Sequence, residues 1–110
     1  MAYDEETADR IREVVAREAG LSEMRMFGGL AFLINGNMAV AASGKGGLLL
    51  RCAPDQTATL AAEPHVGPFE MRGREMNGWL RVELPAIESD DALRRWVQVG
   101  LDHAGSLPAK

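Results

Sequence analysis

Cys52, His65 and His103 have the widest chemical reach of any side chains in this sequence. A thiol and imidazoles can hold zinc, and a thiol beside an imidazole can attack a carbonyl. Their spacing speaks against both uses. There is no C-x-x-C pair, and neither histidine has a partner at a ligand spacing. Cys52 ends the strand-like segment Leu48–Cys52 and reads as a small buried residue. Gly44-Lys45-Gly46-Gly47 has the composition of a phosphate loop but not the G-x-x-x-x-G-K-[ST] pattern. It also lies between two apolar runs instead of before a helix, so it reads as a hairpin tip. The carboxylates gather at Asp4, Glu5 and Glu6 and again at Asp90 and Asp91, where helices begin and their dipoles favour negative charge. The residues therefore assign no catalytic group, no metal and no cofactor, and the expected class is non-enzymatic.

What remains is a set suited to contact. Arg25, Phe27, Arg51, Arg74, Met76 and Trp79 combine guanidinium groups with large apolar side chains, the residue types enriched at protein interfaces. Trp79 and Met76 are equally suited to a core. Gly28 and Gly29 stand beside Phe27. Lacking Cβ, they permit a positive φ, a bulge or the close approach of another backbone. The alternative to a contact surface is a small-molecule-binding protein or enzyme with its pocket over Gly28-Gly29.

These residues need elements to hold them. Asp4 to Ala19 repeats Ala8, Ile11, Val15 and Ala19 at helical spacing, and Gly20 is a suitable stop. Leu30–Ile34 and Met38–Ala42 are strands flanking Asn35-Gly36, the strongest short hairpin signal. Leu48–Cys52 is a third strand. Pro54 opens a short helix to about Ala62, with Thr57, Leu60 and Ala61 inside. Phe69–Arg72 is a fourth strand, Gly73–Gly78 a connection, and Trp79–Leu84 a fifth strand. Ser89 caps a last helix whose stripe is Leu93, Trp96, Val97, Gly100, Leu101 and Ala104. The order α-β(3)-α-β(2)-α predicts a two-layer α+β domain with a five-stranded antiparallel sheet covered by helices on one face. The other face is then free for a second copy, and a homodimer is one expected state.

The totals set the boundaries. A chain of 110 residues with 25% charged and 46% apolar residues makes one ordinary domain, 1–110. Its net charge of −4 opposes direct nucleic-acid binding, which needs clustered positive charge. A single cysteine suits a reducing compartment, and the acidic start does not read as a secretory signal. No apolar run reaches the ~20 residues of a membrane span. A cytoplasmic protein acting through an unknown protein partner is the expectation.

Several segments together resemble the N-terminal domain of the TfoX/Sxy family. They are Arg25-Met-Phe-Gly-Gly29, Phe32 with Asn35-Gly36, Leu48–Arg51, Gly73-Arg-x-Met76 with Gly78-Trp79, and the tail Trp96-Val, Gly100-Leu101 and Ser106-Leu-Pro-x-Lys110. The resemblance implies a secretion-chaperone-like fold and a regulatory role. For full-length members, the resemblance implies regulation of natural competence together with a cyclic-AMP-dependent transcription activator, and a second, C-terminal domain. This sequence ends at Lys110, and the resemblance carries no catalytic residue onto it.

Overall fold

The computed structural model describes residues 3–26 and 28–109. Helix α1 (Glu5–Val15) is followed by strands β1 (Leu21–Met26), β2 (Gly29–Ile34), β3 (Asn37–Ala42) and β4 (Leu48–Arg51). A 3₁₀ turn at Pro54–Gln56 runs into α2 (Thr57–Ala61). Strands β5 (Val66–Met71) and β6 (Arg74–Val82), a second 3₁₀ turn at Leu84–Ile87 and α3 (Asp90–Gly105) complete the chain. All strands join one antiparallel sheet in the order β1-β2-β3-β4-β6-β5.

The expected five strands are therefore six. The additional one is β1, whose sequence LSEMRM is mostly exposed and lacks an apolar alternation. It is an edge strand paired only with β2. The expected connection Gly73–Gly78 is also corrected, because Arg74 to Asn77 already belong to β6. This half of β6 runs beyond the end of β4 and pairs with β5 alone, so Arg74, Glu75 and Asn77 stay exposed and only Met76 is half-buried. Pro68, which has no N–H to give, sits in the other edge strand, where that loss is tolerated.

The remaining elements follow their local signals. Asp4 caps α1 by accepting from the Glu6 N–H, and Ser89 caps α3 by accepting from the Ala92 N–H. α1 stops at Val15, ahead of the expected Ala19, and Gly20 turns the chain at φ 75°. Asn35 and Gly36 both have positive φ, 51° and 83°, as a two-residue hairpin between β2 and β3 requires.

One face of the sheet carries Leu30, Phe32, Ile34, Val40, Leu48, Leu50, Cys52, Leu80 and Val82 against Ile11 and Val15 of α1 and Leu93, Trp96 and Val97 of α3. A register shift after Phe32 sets Ala39 as an extra residue in β3. Its carbonyl oxygen lies 2.4 Å from where a Cβ on Gly100 would stand. Only glycine lets α3 settle so closely on the strand. The opposite face holds a second apolar cluster of Ala31, Leu33, Met38, Ala41 and Leu49. No helix belongs to this cluster. Met26 of β1, Phe69 of β5 and Trp79 of β6 pack on it. The two edges of the sheet thus curl toward each other over its centre.

Candidate functional site

The curl leaves a hollow of about 530 Å³. Its floor is Ala41 and Leu49 of the central strands, and its walls are Met26 on one side and Pro68 and Phe69 on the other. Gly29, Ala42, Ser43 and Lys45 close one end, and Glu70, Arg72 and Arg81 supply the remaining polar rim. A volume of this size falls within the range of small-molecule sites.

Antiparallel register explains why these groups converge. Leu49 stands opposite Arg81, and Arg51 opposite Trp79, so all four share the concave face of β4 and β6. The Arg81 guanidinium donates from Nη1 to Ser43 Oγ at 3.1 Å and from Nη2 to the Lys45 carbonyl at 3.3 Å. Both acceptors are neutral, so Arg81 is held in place with its charge intact. Ser43 Oγ also accepts from the Lys45 N–H, and the Ser43 N–H donates to the Gly47 carbonyl. The hairpin tip is thereby an ordered part of the rim. Among the described residues, Lys45 and Arg72 make no ion pair.

Beside the hollow, the Arg51 guanidinium lies 5.3 Å from the Trp79 ring centre, and Trp79 meets Phe69 at 6.2 Å. Arg51 Nε is buried without a hydrogen-bond partner. Its positive charge, after burial itself, helps push the His103 imidazole below its ordinary range.

The sequence-derived contact set does not form one patch. Arg51 and Trp79 are adjacent, but Arg25 points to the helix face of β1, opposite Leu30, and is exposed. Arg74 is exposed at the β5–β6 turn. Met76 lines a separate cavity of about 430 Å³ with Thr57, Ala58 and Ala61 of α2 and Ala62 just beyond it. Phe27 lies outside the described residues.

The glycines divide their work. Gly28 has φ 72° and open space around it, while a Cβ on Gly29 would stand 2.1 Å from the Ala42 carbonyl oxygen. Gly29 touches the hollow and Gly28 does not. Lys45 and Arg81 fell outside the contact residues chosen from sequence. The sign that would have found Arg81 is its alternation with Trp79 on one strand face.

Cys52 sits under the helices, on the face away from the hollow. Burial raises its thiol pKa, and its sulfur lies 3.7 Å from Thr57 Oγ1. Thr57 Oγ1 accepts the Gly78 N–H at 2.8 Å, and the Cys52 N–H donates to the Gly78 carbonyl. Gly78 has φ 87°, so the Met-x-Gly-Trp segment owes its glycine to a buried kink in β6. No three His, Cys, Asp or Glu side chains come together as metal ligands among the described residues. Likewise, no helix there is long and apolar enough to cross a membrane.

Neither the curated proteins nor the solved structures include a match to this chain. A family model does match. The motifs around Gly29, the Asn35-Gly36 hairpin, the Gly78 kink and the close seat of Gly100 all fall inside residues 13–104, the span covered by the TfoX N-terminal domain, and the chain belongs to that family.

Proposed function

We propose that this domain is a non-catalytic binding module with a regulatory role, and that it receives its ligand in the hollow of the curled sheet. The observation that carries this reading is the meeting of an apolar floor (Ala41, Leu49) and an apolar wall (Phe69) with the fixed cation Arg81 inside a cavity of about 530 Å³. Concave, mostly apolar sites with a few placed polar groups recognise small molecules. A role in recognition, without turnover, is supported by the position of Cys52. The one thiol lies under the helices with its pKa raised, and the hydroxyl nearest the cations, on Ser43, is engaged by Arg81. Amide chemical-shift mapping of a neutral and charged fragment collection tests the reading. Perturbations should gather on Ala41, Leu49, Phe69 and Arg81. Perturbations gathered on Met76 and α2 would reject it.

Contact with a protein partner, the role that the family resemblance suggests, is supported at a different place. Met24 is 52% exposed on β1, a strand with only one neighbour. Unpaired strand edges accept further strands. In the same spectra, addition of a cytosolic extract would broaden the amides of Ser22 to Met26 under this second reading.

A further inference from the structure

Taking the hollow as the binding site, we propose that its ligand is a small amphipathic anion with a carboxylate or phosphate head on a flat apolar body. The chain as a whole carries a net charge of −4, yet the lining of the hollow has three basic side chains, Lys45, Arg72 and Arg81, against the single carboxylate of Glu70. The hollow is thus a cationic site on an acidic protein. Glu70 is exposed at the rim and stands opposite Glu75 across the β5–β6 pair.

Two of the cations, Lys45 and Arg81, stand together at one end of the lining, and Arg72 stands at the β5–β6 turn. Lys45, Ser43 and Arg81 cluster at the β3–β4 hairpin tip, held by the Arg81 hydrogen bonds to Ser43 Oγ and the Lys45 carbonyl. Leu49, Ala41, Phe69 and Met26 form most of its apolar surface. A head group at the tip reaches Lys45 and the outer edge of a preplaced guanidinium, whose fork suits two acceptor oxygens. An apolar body then lies on Leu49 and Ala41 between the Met26 and Phe69 walls. A cation in the same place would meet Lys45 and Arg81. A neutral polar head would leave Arg81 with only the neutral partners it already has.

Four naphthalene compounds with different heads test this by calorimetry and amide shift mapping: 2-naphthoate, 2-naphthyl phosphate, the neutral 2-naphthamide and 2-naphthylmethylammonium. One or both anions should bind at least about tenfold more tightly than the amide, as charge-assisted hydrogen bonds imply, and the ammonium should not bind. The stronger of the two anions identifies the acid head. The exposed pair Lys45→Gln and Arg72→Gln, together, should weaken anion binding about fivefold and amide binding by a clearly smaller factor. Equal affinity for naphthoate, naphthyl phosphate and naphthamide would overturn the anion proposal while leaving the hollow as a binding site. Anion shifts that map away from Leu49 and Phe69, or no binding by any of the four compounds at millimolar concentration, would overturn the proposal and the reading it rests on.

Discussion

Gly28 and Gly29 are neighbours with different physical reasons for being glycine, and substitution separates them. Gly29 is buried, and any Cβ there collides with the Ala42 carbonyl oxygen. Gly29→Val is therefore expected to destabilise the domain by roughly 1–3 kcal/mol or more, the cost of overpacking with backbone shifts. Gly28 has room for a side chain but a left-handed backbone. Gly28→Ala should cost about 1 kcal/mol, and Gly28→Asn less, since asparagine visits that region most readily. Thermal melts decide the matter. A Gly29→Val midpoint equal to that of the parent protein would remove the close-approach explanation. The sequence made both roles visible as options. It did not say which glycine had which, because that depends on Ala42, a residue brought close only by the hairpin register.

Among the elements, the kinked end of β6 depends on α2 through one hydroxyl. Thr57 Oγ1 accepts the buried Gly78 N–H. Thr57→Val keeps the shape and removes the acceptor, so it should cost roughly 1–3 kcal/mol for the stranded donor. Thr57→Ser should recover most of that. Melting temperatures and amide exchange at Gly78 report it, and an unprotected Gly78 amide in the parent protein would contradict the bond. Elements were legible where their faces alternated or capped cleanly. The Asn35-Gly36 hairpin, the helix start at Ser89 and the seat of Gly100 on the sheet are all found as expected. β1 and the outer half of β6 were not legible, for one reason. Both lie at the margin of the sheet and are largely exposed, so the apolar pattern that marks a core strand is missing from them. On β1, Glu23 faces the helix side and is held by Arg12 of α1 through two hydrogen bonds at 2.9 and 3.0 Å. The Arg12 guanidinium lowers the Glu23 carboxyl pKa. The hollow shared this invisibility, because its walls are drawn from the two ends of the strand order.

At the scale of the whole molecule, the charge distribution bears on the transcriptional setting that the family name suggests. Duplex binding requires many phosphate contacts, each releasing counterions. Folding does gather Lys45, Arg72 and Arg81, but it places them around a cavity and keeps the remaining surface acidic. The expected result of an anisotropy titration with duplex DNA at physiological salt is no binding at micromolar protein. A dissociation constant near a micromolar that weakens steeply with salt would show a basic surface beyond these three residues. The curl of the sheet has one further consequence, which concerns motion. The floor of the hollow belongs to β3 and β4, each hydrogen-bonded on both sides, while its walls belong to the edge strands β1 and β5, each hydrogen-bonded on one side only. Breathing of the domain should therefore begin at the walls. Hydrogen exchange would find fast amides on β1 and β5 around a slow centre. A molecule seated between Met26 and Phe69 would bridge the two frayed margins where no backbone bond connects them, and so act as the missing clasp of a sheet that stops short of closing into a barrel.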